Sequence, residues 1–265
     1  MSPAQKERKS ARGQRTAAVF ERIPWRDPSL QALPDPLRVA MAKHWARRAR
    51  SEAHVGQSLL ALVPRVRAVG GSPVVLHWLE VAGRDEAVHS ELCRRLAESY
   101  SGERVEPAEA RPVKLPEFGC DDERLETLLL VAGTCCINET LATAWLEANL
   151  AQSSAPIARA ANRLHLRDEI DHARLGWAHL ASPAVDEDLR EALAECVPRL
   201  LAANVAIWLR PDDFVPAEGV PGHGVCAHAD TVAVIERALQ ELVLPGFRHV
   251  GVRVDLSAPL AHRSG

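Results

Sequence analysis

A chain of 265 residues, 47% hydrophobic and 25% charged, is long enough to bury a substantial core and has the balance of a globular rather than a disordered protein. A formal charge of −3 gives no global reason to expect nucleic acid, and the apolar runs break before membrane-spanning length, so a soluble protein with no nucleic-acid or membrane partner is expected. Six cysteines with no C-x-x-C pair, several on apolar helical faces, fit reduced, buried thiols in a cytoplasmic protein.

Lys6, Arg8, Lys9, Arg12 and Arg15 cluster without an apolar core, which fails as a secretory signal and reads as a flexible basic tail. With a lead-in broken by Pro24, Pro28 and Pro34, it fills residues 1–34. Asp35-Pro36 places an N-cap before a first-turn proline and opens a first helix, carried by the pattern to 63, before Pro64. Glu52 shares a face with Trp45, Ala49, Val55, Gly56 and Leu59. A carboxylate in such a stripe must be protonated, paired or bound to a cation, because a buried lone charge is costly. Ser72-Pro73 opens a second helix, to 99, whose stripe Val75, Leu79, Ala82, Glu86, His89, Cys93 and Leu96 is apolar except for Glu86 and His89.

Pro107, Pro112 and Pro116 exclude a continuous helix over 101–119. Extended, that segment reaches up to about 60 Å, enough to run the length of a long helix. It reads as a crossover that lets two helical hairpins pack with a pseudo-twofold relation. Asp121 or Asp122 caps a third helix, to 150, with Glu139 beside Ala132, Cys135, Cys136, Ala142, Thr143 and Leu146. Ser154 and Pro156 start a fourth, to 180, aligning Asn162, His165, Glu169, His172 and Gly176. Further helices, over 186–209 with a kink expected at Pro198 and over 229–242, fill residues 183–245 and pack on a bundle spanning 35–182. Residues 246–265 read as a loose arm, or a short strand near 250–256. His223, Cys226 and His228 match no closed four-ligand spacing and read as plain loop.

Asp-Glu-x-x-His occurs twice, at 85–89 and 168–172. On a helix, residues three apart differ by about 60°, so each Glu and His face one way and can reach one metal. A single copy means little. Two copies, each preceded by a helix carrying one inward Glu, assemble Glu52, Glu86, His89, Glu139, Glu169 and His172, the dinuclear carboxylate pattern. Four carboxylates balance two divalent ions, and carboxylate with imidazole suits iron or manganese rather than structural zinc. Asp85 and Asp168 directly precede the metal Glu of each motif, about 100° round the helix. There each can accept the ring N–H of a ligating His from the other half, or serve as a surface acid.

Over residues 36–180 this pattern resembles the ferritin-like diiron carboxylate oxygenase superfamily, which implies an all-α fold: a four-helix bundle with a long crossover between helices two and three, plus extra C-terminal helices. The C-x-x-C iron module of rubrerythrins is missing. Radical-type ribonucleotide reductase subunits carry a Tyr one turn after the first His; Cys93 stands there and the single tyrosine is Tyr100, so no tyrosyl radical is expected. His165 completes His-x-x-x-Glu-x-x-His, which is similar to the extra-histidine signature of the p-aminobenzoate (arylamine) N-oxygenase family. The resemblance implies His165 as a seventh ligand, with a local distortion of the fourth helix to let His165 and His172 both bind. The alternative is a core histidine bonded to a neighbour such as Asn162.

The implied function is a non-haem diiron monooxygenase that uses two iron ions, or manganese, and O₂ to oxygenate a small-molecule substrate, at an amine nitrogen or a C–H bond. Electrons then come from a separate donor, since no flavin or iron–sulfur motif is present, and a homodimer is compatible with such a bundle. Gly56, Ala82, Gly83 and Gly176 either leave room for O₂ and substrate or serve close helix packing. Thr143 either lines the pocket as a catalytic, proton-delivering residue or bonds back to its own helix. The competing expectations are an iron-handling or metal-binding protein without oxygenase turnover, and a diiron carbon hydroxylase.

Overall fold

A computed structural model describes residues 20–109 and 111–255; the basic tail before residue 20 and the end of the C-terminal arm, 256–265, lie outside the described residues. The fold is all-α, and among the described residues the only β pairing is an isolated bridge between Val220 and Val225. Four long helices carry the core: α1 (Asp35–Ala68), α2 (Pro73–Ser101), α3 (Glu123–Gln152) and α4 (Pro156–Leu180). Two more follow, α5 (Glu187–Trp208) and α6 (His228–Ala238). Within α3 the regular helix gives way to a wider π-helical stretch over Ala132–Asn138, directly before Glu139.

The helices pair as antiparallel hairpins, α1 with α2 and α3 with α4, and α2 also lies along α4. Glycine sets the closeness. A Cβ added to Gly83 would come 2.7 Å from Cγ of Leu60 and 3.0 Å from the carbonyl oxygen of Gly56. At Gly176 it would come 2.6 Å from Sγ and 2.8 Å from the backbone nitrogen of Cys136. Of the two readings of these glycines, close packing is therefore the one the structure gives. Gly176→Ala is expected to destabilise the fold by about 1–3 kcal/mol, because the opposing atoms include backbone that cannot step aside; urea denaturation measures it, and an unchanged midpoint would contradict the contact.

The buried apolar side chains form two clusters. One gathers Leu59, Leu62, Val75, Leu79, Val131, Leu141, Leu175, Leu193 and Phe247, and the other gathers Met41, Trp45, Leu92, Leu96, Tyr100, Ile157 and the lead-in residues Phe20, Ile23 and Leu30. Along α1, α2 and α4 the acidic and imidazole residues fall at the break between them. The crossover is tied at both ends: Val105 donates its N–H to Glu98 and accepts from Arg94, while the Glu126 carboxylate accepts from the N–H groups of Phe118 (2.6 Å) and Cys120 (3.1 Å).

Several boundaries differ from those the sequence suggests. α1 runs through Pro64 to Ala68, because Leu62, Val63 and Val66 are buried and the proline costs only one hydrogen bond near the helix end. The N-cap of α4 is Ala155, not Ser154; its first turn is instead satisfied from afar, by an Asp27 carboxylate oxygen that accepts the Ile157 N–H at 2.8 Å. Beyond α6 the chain stays helical through a π turn, Leu239–Val243, and Leu244–His249, so 246–249 is helix rather than loose arm. Phe247 and Val252 are fully buried. By length and mean composition α3 could cross a membrane, but its apolar run is broken at Glu126 and Glu139, and 72% of its most apolar window is buried inside the fold. All six cysteines are free, with Cys120 and Cys196 only half-buried.

Candidate metal centre

Glu52 reaches the centre from α1, Glu86 and His89 from α2, Glu139 from α3, and His165, Glu169 and His172 from α4; none is more than 8% exposed. The structure thus brings all seven together. Their donor atoms form two groups, Glu52, Glu86, His89, His165 and Glu169 on one side and Glu86, Glu139, Glu169 and His172 on the other, the atoms of each group lying within 4.8 Å of one another. Glu86 and Glu169 belong to both.

The two Glu-x-x-His turns cross-connect. His172 Nδ1 lies 3.0 Å from Oε1 of Glu86, and His89 Nδ1 lies 3.4 Å from Oε1 of Glu169. Their other ring nitrogens face the aspartates of the opposite helix: His89 Nε2 is 3.3 Å from Asp168 and His172 Nε2 is 3.6 Å from Asp85. The contact at 3.0 Å is an ion pair rather than an aligned hydrogen bond. Glu86 Oε1, Glu169 Oε2, His165 Nε2 and both ring nitrogens of His172 are buried without a hydrogen-bond partner. Of these orphaned atoms, all but His172 Nε2 face the centre, where a cation would satisfy them.

Electrostatics agree with a centre suited to cations. Burial lowers the His89 and His172 pKa values, but the surrounding carboxylates, Glu86 for His89 and Asp85 with Glu169 for His172, outweigh it and hold both well above the ordinary imidazole value. Burial, then the charges of Glu169 and Glu86, push Glu139 far above the usual carboxylate range. Glu169 goes the other way, burial being overcome by the His165, His172 and His89 rings that face it within 3.4 Å. Burial lowers His165 to about 4, with the His89 charge adding to the effect. Cys93, one turn past His89, is pushed up to about 12 by burial and stays a neutral thiol.

Two expected details fall differently. α4 is regular throughout, so the helix distortion at the centre sits in α3, ahead of Glu139, where Asn138 is held by Asn204 (2.6 Å) and Trp208 (3.0 Å). Asn162 donates to Ser153, not to His165. Thr143 donates to the carbonyl oxygens of Glu139 (2.8 Å) and Glu169 (3.1 Å), which ties the backbones of two ligand-bearing turns together. In the loop before α6, His223 accepts or donates at 2.9 Å to Tyr100, and Cys226 takes its backbone bond to Asn149.

Sequence reasoning missed Arg48. Its guanidinium donates to Oε1 of Glu52 at 2.8 and 3.2 Å and reaches Nδ1 of His165 at 3.3 Å, with its Cζ 5.3 Å over Trp45 and 4.6 Å over Trp145. The available signal was its position, one turn before Glu52 on the same face.

Fold and site together define an all-helical protein with a buried carboxylate and histidine cluster able to hold metal. No family model, curated protein or solved structure matches the chain.

Proposed function

We propose that the protein is a ferritin-like non-haem diiron oxygenase acting on a small organic substrate, with an amine nitrogen as the favoured acceptor. The observation that carries this reading is the pair of donor groups sharing Glu86 and Glu169, whose residues would hold two ions side by side. Two ferrous ions held there would supply the electrons for reducing O₂. The chain does the rest. Asp168 bonds the outer nitrogen of His89 and Asp85 lies 3.6 Å from that of His172, positions from which each would accept the outer ring N–H and leave the inner nitrogen to ligate. The two apolar clusters flanking the centre keep water away from it. His165, which enlarges one donor group, favours nitrogen over carbon through its likeness to the arylamine N-oxygenase signature.

The test is rapid mixing of O₂ with reduced protein carrying two irons per chain, followed by an O₂-consumption screen of arylamines against aliphatic substrates. A transient optical band and arylamine-dependent O₂ uptake are expected. Without any such band the oxygenase reading fails. The competing reading, iron handling without turnover, would show as no transient band and, for storage, as many irons per chain.

A further inference from the structure

The two halves of the centre are not equally open. Arg48 enters from α1 between Trp45 and Trp145 and bonds both Glu52 and His165, two members of the same donor group. A guanidinium only donates hydrogen bonds. Nδ1 of His165 must therefore accept from Arg48, which leaves the proton of the neutral ring on Nε2. Nε2 is the atom that faces the centre, 3.1 Å from Glu169 Oε1 and 3.8 Å from Glu52 Oε1. To ligate a metal through Nε2 the ring must carry its proton on Nδ1 instead, where it would meet the N–H of Arg48 head-on. Oε1 of Glu52, the oxygen nearest His165 Nε2, accepts from the same guanidinium. Arg48 and a metal ion ligated through Nε2 of His165 therefore compete for the ring and for this carboxylate. The hold is also incomplete, since Nη1 of Arg48 is buried with no acceptor.

We propose that Arg48 is an internal stand-in cation that closes the Glu52/His165 position of the metal-free protein, so that the centre loads in order. The Glu139/His172 position fills first, and the second ion enters only by displacing Arg48 from Glu52 and His165. This rests on the reading of the cluster as a two-ion metal centre. The displacement moves no electrons: Glu52 and His165 exchange their bonds to Arg48 for bonds to the metal, and the proton on Nε2 leaves while Nδ1 gains one.

Cobalt(II) titration of the metal-free protein, followed by its visible bands, tests the order without turnover. The wild type is expected to bind one ion tightly and a second at least about tenfold more weakly. Arg48→Met, which keeps an apolar stem between the two tryptophans, should tighten the second ion by about tenfold or more and leave the first unchanged. His172→Ala should remove the tight phase alone. In ¹⁵N NMR of the wild type, His165 should carry its proton on Nε2 in the metal-free protein and on Nδ1 only after the second equivalent; this measurement needs no variant, so it decides the matter if Arg48→Met does not fold. Two equal ions in the wild type, an unchanged or weaker second ion in Arg48→Met, or an Nδ1 proton in the metal-free protein would each overturn the proposal while leaving the metal centre standing. Absence of bound cobalt in both wild type and Arg48→Met would remove the metal centre and this inference together.

Discussion

Loading the metal-free protein with two divalent ions near pH 7 should release about three protons per chain, one each from His89, His172 and Glu139. All three are held protonated by the centre itself. The two imidazoles are surrounded by carboxylates, and Glu139 is buried beside Glu169 and Glu86, so a proton takes the place of a missing positive charge. A metal ion must expel each of them to use its lone pair. Affinity therefore climbs with pH, the combined two-ion constant rising by about three decades per pH unit until the protons are gone. Calorimetry in buffers of different ionisation heat counts the protons directly, and release of none would contradict the assignment.

The same shifts fix the sign of the stability change. For His89 and His172, raised above the ordinary value of about 6.5, the stabilisation is full below that pH and fades as pH rises through the folded-state values. Glu139 is also raised, so the folded state keeps a proton that the unfolded chain loses above about pH 4.3, and this too weakens the metal-free fold as pH rises. Depressed Asp168, at about 2, acts only at acid pH. The metal-free protein should thus melt lower at pH 8 than at pH 6, with the loaded protein showing the smaller difference.

Glu169→Ala should abolish binding of both ions, whereas Glu139→Ala should remove only one. Glu169 stands within 3.4 Å of His89, His165 and His172 and belongs to both donor groups, while Glu139 belongs to one. Metal saturating at 100 to 1,000 times its dissociation constant stabilises a fold by about 3–4 kcal/mol. For a chain of this size that is a rise in Tm of roughly 6–16 °C. The wild type should show that rise on loading, Glu169→Ala none, and Glu139→Ala an intermediate one. Metal analysis of the purified variants gives the stoichiometry, and equal metal in Glu169→Ala and wild type would disprove the shared position.

The parts legible in the sequence are those written in local pattern. Asp35-Pro36 and Ser72-Pro73 mark helix starts because caps and first-turn prolines act within four residues. Glu86 and His89 show themselves as polar residues in an apolar stripe. What stayed hidden depends on partners far along the chain. Asp27 caps α4 from 130 positions away, and nothing near Asp27 signals it. Arg48 and Glu52 look like any helical surface pair until Trp45 and Trp145 close over the guanidinium. The π stretch in α3 belongs to the packing of Asn138 on Asn204 and Trp208, so no periodicity in Ala132–Asn138 announces it.

The reciprocal contacts of the centre amount to an exchange rule. Swapping α1 with α3 and α2 with α4 carries Glu52 to Glu139, Glu86 to Glu169, His89 to His172 and Asp85 to Asp168, like onto like. By position on the helices, the same swap carries Arg48 to Cys135 and His165 to Ala82. The ligands common to both halves cannot tell left from right; near them, the touching Arg48 and His165, a cation and an imidazole against a thiol and a methyl, join the π stretch that precedes Glu139 but not Glu52 in giving the centre its handedness.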